Sequence, residues 1–336
     1  MAVTERPKRA TIRELAEHTG LSPAAVSYAL RGLQTSAETQ QRVQRAADEL
    51  GYAADPIARA LAGGSTGMVG VLVGSLADFW HQGLVHALQA ELRKSDRHAL
   101  VADADGSAER ELDLARRLVA QRVDGLLVAP IGPTSDGWAA IAATVPVVAI
   151  GDSLRGAATA GEVVFDNHRG VGEVLRHLHG LGHRRITILT PSIEATDHRP
   201  TEAAVRTWEQ SLGLDCTVMS VPASLGARRP VLRMLARTPR PTAIFCQADA
   251  VAYAVYLACA ELGLEIPGDL SVCGFDDHPL SRVVAPRLTS VDWGLEVLAR
   301  VATGFLGDAL DGQPQHRLAT MPPALRVRAS TAPPAP

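Results

Sequence analysis

Apolar positions in the first fifty residues recur at helical spacing in three short blocks. Ile12, Leu15 and Ala16 form one stripe behind Thr11-Ile12-Arg13-Glu14, a Thr-x-x-Glu start in which hydroxyl and carboxylate each satisfy an orphan amide. Gly20 supplies the tight turn that ends this helix, and Ser22-Pro23 restarts the next as an N-cap with proline in the first turn. Val26 and Leu30 mark its inner side, which leaves Ser22, Ala24, Ala25, Ser27 and Tyr28 nearer the outside. A third helix is predicted from the cap Ser36, burying Val43, Ala46, Ala47 and Leu50 and stopping at Gly51-Tyr52. Taken alone, this spacing also fits an ordinary three-helix bundle with no nucleic-acid role.

Asp55-Pro56-Ile57-Ala58-Arg59-Ala60-Leu61 again begins with a cap and a proline. It is shorter than the roughly 12 to 15 residues an isolated helix needs, so it is expected to form only against something else. Gly63-Gly64-Ser65-Thr66-Gly67 then fits a linker better than a phosphate cradle, because no Lys-Ser or Lys-Thr pair follows. From Met68 onward, buried strands are predicted at 68–73, 99–102, 125–128, 147–150, 185–189, 216–219, 243–246 and 270–273. Helices are predicted between them at about 81–94, 108–121, 169–181, 201–212, 249–262 and 295–310. Alternation of this kind favours parallel sheets wound by right-handed crossovers. The set divides near residue 155, and the chain returns to the first lobe near Val291.

Composition narrows the function classes. With 46% hydrophobic and 21% charged residues and a net charge of -3, the chain reads as a globular protein with ample length for two lobes. No secretory signal and no apolar run of bilayer length is visible, so a cytoplasmic protein with no membrane partner is expected. Cys216, Cys246, Cys259 and Cys273 lack metal or redox spacing and are expected to be small buried hydrophobes. His177, His179 and His183 cluster but have no acidic or cysteine partner at matching spacing, so they are expected to be exposed or loop histidines rather than a metal site. No nucleophile elbow, metalloprotease motif or dinucleotide fingerprint stands in place, and neither catalysis nor a cofactor is expected. Residues 1–64 carry eight cations against seven anions, so any case for DNA binding rests on where charge is placed. The outward side of the second helix is small and uncharged, as suits a major groove about 12 Å wide. Around it stand Arg6, Lys8, Arg9, Arg13, Arg31, Arg42 and Arg45.

Eight motifs occur in one order. They are Thr11-Ile12-Arg13-Glu14-Leu15-Ala16; Gly20-Leu21-Ser22-Pro23-Ala24-Ala25-Val26-Ser27; Leu50-Gly51-Tyr52; Ala58-Arg59-Ala60-Leu61; Leu181-Gly182-His183-Arg184-Arg185-Ile186; Val272-Cys273-Gly274-Phe275-Asp276-Asp277; Pro286-Arg287-Leu288-Thr289-Ser290-Val291; and Arg326-Val327-Arg328-Ala329-Ser330-Thr331. Across nearly its whole length the chain resembles the LacI-type (lac and purine repressor) transcription regulators. The resemblance implies an all-α helix-turn-helix head at 1–54, a hinge helix and linker at 55–67, and an effector-binding and dimerisation body at 68–336. That body would be a two-lobed α/β periplasmic-binding-protein-like fold, with an N-lobe at about 68–155 and 292–315 and a C-lobe at about 156–291 and 316–336.

The same resemblance implies a homodimer on a near-palindromic double-stranded operator, controlled by a small effector such as a sugar or related metabolite. The second helix would enter the major groove, with Pro23, Ala24 and Tyr28 at the positions that choose the operator. Thr11, Arg13, Ser22, Ser27, Arg31 and Arg59 would support the DNA contact, and Leu61 would wedge into the minor groove at the operator centre. Effector-binding candidates are Phe79, Trp80, Arg199, Asp249, Asp276 and Trp293, with Asp249 also readable as a helix N-cap. The chain departs from the family at Arg199-Pro200-Thr201, which lacks the usual glycine and aromatic after the arginine. It departs again at Ala248, where an asparagine is common, and at Trp293, near a position often polar. A transporter's solute-binding protein would share the body but lack the head, and a Rossmann-type enzyme would need a cofactor fingerprint.

Overall fold

The computed structural model describes residues 10–30, 32–33, 35–52, 65–192, 200–313 and 316–335. Arg6, Lys8, Arg9, Arg31, the hinge with Arg59 and Leu61, and Arg199 lie outside the described residues. The chain divides into two compact units, Met1–Thr66 and Gly67–Pro336.

In the first unit, helices α1 (Ile12–Thr19), α2 (Pro23–Leu30) and α3 (Ala37–Leu50) enclose a small core. The reciprocal cap at α1 is formed: the Thr11 amide donates to Glu14 Oε2 at 2.7 Å, and the Glu14 amide donates to Thr11 Oγ1 at 3.3 Å. Gly20 closes α1 at φ 66° and Ser36 caps α3. Leu15, Val26 and Val43 are fully buried, and Ala29 rather than Leu30 is the second buried residue of α2.

The second unit holds two six-stranded sheets. Its elements run β1 (Met68–Val73), α4 (Phe79–Lys94), β2 (His98–Asp103), α5 (Ala108–Ala120), β3 (Gly125–Val128), α6 (Gly137–Ala142), β4 (Val147–Gly151) and β5 (Gly161–Phe165). They continue with α7 (Asn167–Gly180), β6 (Arg185–Pro191), α8 (Pro200–Leu212), β7 (Asp215–Val221), α9 (Arg228–Leu235), β8 (Ala243–Cys246), α10 (Asp249–Leu262) and β9 (Ser271–Gly274). Last come β10 (Thr289–Asp292), α11 (Leu295–Leu310), β11 (Arg317–Met321) and β12 (Ala324–Arg326). The first sheet is ordered β11-β5-β4-β3-β1-β2 and is parallel throughout. The second is ordered β12-β10-β9-β8-β6-β7 and is parallel except for β12. Helices cover both faces of each sheet, and apolar clusters form beneath them, as parallel sheets require.

Strand pairing corrects the lobe boundaries expected at 155 and 315. Gly161–Phe165 and Arg317–Met321 pair with each other in the first sheet, so the chain crosses after Phe165, after Asp292 and after Met321. Both strands escaped the sequence pattern because β5 carries a charged residue, Glu162, at a buried position and β11, a largely exposed edge, shows no clean alternation.

Of the expectation of exposed or loop histidines, His183 does lie in the loop between α7 and β6, but it is not exposed. His183 is 1% exposed. Its Nδ1 meets Thr242 Oγ1 at 2.9 Å, and its Nε2 meets the Ala332 carbonyl at 2.9 Å and Ser271 Oγ at 3.1 Å. His177 reaches Thr331 in the same way, and Ser330 bonds both Thr289 and Val272. These imidazoles fasten the C-terminal tail to the second sheet. Cys246, Cys259 and Cys273 are buried, and Cys216 is half-buried. No helix among the described residues is long and apolar enough to cross a membrane.

Candidate nucleic-acid face and ligand cleft

In the three-helix unit, Ser22, Pro23 and Ala24 are exposed at the start of α2, and Tyr28 is 40% exposed one turn on. Ser27 is half-buried. Ser22 Oγ accepts from the Ala25 amide at 3.2 Å, and Thr11 is engaged in its capping box, so both hydroxyls already fix helix starts. Arg13, Arg42 and Arg45 are exposed. The result is a short helix with a small, uncharged, sterically open leading edge and cations on neighbouring helices.

The cleft of the body forms where strand ends of the two sheets face each other, the usual ligand position in doubly wound folds. From the first lobe, Asp78 caps α4: its Oδ1 accepts from the Trp80 amide at 2.7 Å and the His81 amide at 3.3 Å. This fixes Phe79 and Trp80 just beyond β1. Phe79 crosses to the second lobe, where it stacks on His278 with centroids 5.0 Å apart and lies 6.3 Å from Tyr253. Trp80 packs edge-on to Phe165 at 5.5 Å, Phe165 meets Trp293 at 4.6 Å, and Trp293 meets Phe275 at 5.3 Å. Phe165 and Trp293 sit at two of the chain crossings, so this aromatic series runs through the joint between the lobes. Trp293 is 3% exposed and its indole N–H donates to the Phe275 carbonyl at 2.9 Å. The structure therefore corrects its expected role: Trp293 supports the joint and does not line the cleft.

Asp249 needs a similar correction. It is the first residue of α10, with Ala248 at the cap position, and it is fully buried. Its carboxylate turns toward the loop after β9, accepting from the Phe275, Asp276 and His278 amides and from the Ser281 and Ser290 hydroxyls. With five donors engaged, it has no capacity left for a ligand and is not an N-cap. Gly274 is required by this approach, since a Cβ there would collide with Asp249 Oδ1.

Asp276, by contrast, remains partly open to solvent, with Oδ2 accepting from the Asp249 amide at the start of α10. Burial first, then the nearby Asp249 and Asp78 carboxylates, pushes its pKa well above the ordinary carboxyl range. Protonated, it can donate to a ligand oxygen; ionised, it can accept from hydroxyls or amines.

Three contributors escaped the sequence reading. His278 and Tyr253 form the far wall beneath Phe79. Gln247 follows β8, where its Oε1 accepts from Thr190 and Thr201 at 2.9 and 3.0 Å while its buried Nε2 has no partner among the described residues. The position of Gln247 and His278 just past carboxyl ends of strands was the available signal. The cleft thus offers an aromatic wall, one carboxyl and one amide donor, a set suited to orienting a small polar ligand.

Residues 175–331 match the periplasmic binding protein-like domain family. The chain is 31% identical over 315 residues to the HTH-type transcriptional regulator GntR of Pseudomonas aeruginosa, covering 90% of this chain and 91% of the relative. It is 27% identical over 337 residues to the HTH-type transcriptional repressor PurR of Haemophilus influenzae, covering 96% and 98%. A crystal structure of the lac repressor dimer bound to operator and the anti-inducer ONPF superposes with a TM-score of 0.85 at 25% identity, covering 97% of this chain and all of that one.

Proposed function

This chain belongs to the LacI-type family of transcriptional regulators, and from that premise we propose that it is a dimeric, effector-controlled repressor of transcription acting in the cytoplasm. The observation that carries this reading is the likeness, along almost its full length, to a repressor dimer held on operator DNA with a small molecule bound. The exposed start of α2 reads base edges through Tyr28, Pro23 and Ala24. Arg13, Arg31 and Arg59 take phosphates, Thr11 and Ser22 fix the helix starts beside them, and Ser27 supports the DNA contact from within α2. Leu61 wedges between bases in the minor groove, a deformation costing a few kcal/mol and repaid by added contacts. Two heads reach two half-sites because the body pairs. Exposed Leu257 on α10, with Leu280 and Val283 on the turn packed against it, supports an apolar pairing surface on the second lobe.

The effector, a sugar or related metabolite, enters between the lobes against Phe79 and Trp80, with Asp276 and Arg199 as polar partners. No catalytic step is assigned to it. Because Phe79 touches His278 across the cleft, a ligand entering there changes the lobe contact, and with it the spacing of the paired heads.

The test pairs two measurements on the full-length dimer. Gel shift on DNA from upstream of its own gene should show a salt-resistant complex that random duplex does not form. Thermal-shift screening of sugars, polyols, nucleobases and amino acids should find a compound that raises the melting temperature and alters that complex. Equal affinity for all duplexes would sink the repressor reading.

A further inference from the structure

At the end of the second lobe away from the cleft, the starts of β6 and β7 and the helix α9 enclose a groove of about 620 Å³ that none of the roles above uses. Arg185, Arg233, Arg237 and Arg240 rim it, against one carboxylate, Asp215. That leaves a local surplus of three positive charges on a chain whose net charge is -3. Ion pairing within the protein does not consume these cations: among the described residues the Arg185, Arg233 and Arg237 guanidinium groups meet no carboxylate or other acceptor. Arg240 is fixed in place by its Nε, which donates to the Leu235 carbonyl at 2.6 Å. The floor is polar as well. Thr187 and Thr217 sit opposite each other in the parallel register of β6 and β7, and both line the groove. Met219, Met234 and Pro230 make the apolar wall. The groove exists because α9 is only eight residues long and covers the sheet through Val231 and Leu235, leaving the strand starts bare.

We propose that this groove is a second ligand site, separate from the effector cleft, for an organic diphosphate. A lone phosphate monoester carries about -1.5 to -2 and would leave the site positive, whereas two linked phosphates match the surplus. Guanidinium forks suit phosphate oxygens, the threonine hydroxyls can donate beneath them, and the apolar wall takes the organic group. The volume lies within the range of about 300–1,000 Å³ usual for small-molecule sites. The assignment does not rest on the repressor reading.

Titration calorimetry on the full-length dimer at physiological salt, with pyrophosphate, ADP and AMP as probes, tests it. Saturable binding of ADP and pyrophosphate, both tighter than AMP, is expected. ADP tighter than pyrophosphate assigns the apolar wall to the organic group, and equal affinities assign the site to the diphosphate alone. Arg233→Ala with Arg237→Ala should weaken binding by about tenfold or more, and Thr217→Val should weaken it less while leaving the charge intact. Arg300→Ala on α11 should change nothing. No saturable binding at millimolar probe overturns the proposal. So does binding that survives the groove variants but disappears with Arg13→Ala and Arg42→Ala, which would move the anion to the head. Operator binding by the groove variants in the gel shift is read separately, so failure here leaves the DNA-binding test standing.

Discussion

Asp249 and Asp276 share one knot of hydrogen bonds but do opposite work. Asp249 is enclosed and takes five donors, so Asp249→Ala would leave several buried donors unpaired, each costing about 1–3 kcal/mol. Urea unfolding should show a loss on the order of 3 kcal/mol or more. Asp276→Asn preserves shape and should cost less than about 1 kcal/mol while weakening the effector by about tenfold or more, measured by calorimetry once the thermal-shift screen has supplied a ligand. Comparable destabilisation by both substitutions would assign Asp276 to the scaffold. Glu111 is a third carboxyl with a readable signature. It is fully buried on α5, accepts from the Ile131 and Gly132 amides at 2.7 and 3.2 Å, and is pushed up by burial to about 7. A carboxyl raised from 4.5 binds its proton more tightly in the folded state, so its stabilising contribution is complete below pH 4.5 and is lost as pH rises through 7. Wild-type stability should therefore fall between these values relative to Glu111→Gln, and parallel pH profiles of the two proteins would contradict this.

At the scale of elements, the head depends on helices too short to stand alone. The α1 cap satisfies two amides at one end, so Thr11→Ala should lower head stability by about 1 kcal/mol. Melting followed by helical circular dichroism would show this as an earlier first transition. The hinge segment raises a different expectation, because the family resemblance gives Leu61 a role only on a distorted operator. Leu61→Ala should weaken operator binding far more than random-duplex binding, and an equal loss on both would count against the wedge. The α10 start shows how an element can mislead: an aspartate after a strand suggests capping, but this side chain is drawn away by the loop following β9.

For the whole molecule, the consequential feature is one ring crossing between lobes. Phe79 belongs to the first lobe and rests on His278 of the second, while Trp80, Phe165 and Trp293 line the joint behind it. Phe79→Ala should leave folding intact but bring the ratio of operator affinities with and without effector toward one, since coupling is typically worth about 1–3 kcal/mol. A full ligand response in that variant would place the coupling elsewhere. Three chain crossings, with the tail fastened by His177 and His183, make the lobes one body rather than beads on a string.

Local sequence determined the helix starts and stops of the head, the buried strands β1, β3 and β8, and the helices α10 and α11. Caps, glycine turns and apolar periodicity act over a few residues and can be read from them. The placement of Phe79, Trp80 and Asp276 at strand ends was legible for the same reason. Tertiary structure alone decided that β5 and β11 pair in the first sheet, that Trp293 and Asp249 are enclosed, and that Gln247 and His278 face the cleft. Those outcomes depend on partners far along the chain, such as Glu162 beside Leu318 and Asp249 beside Ser290, and no local pattern encodes which distant segment supplies the partner.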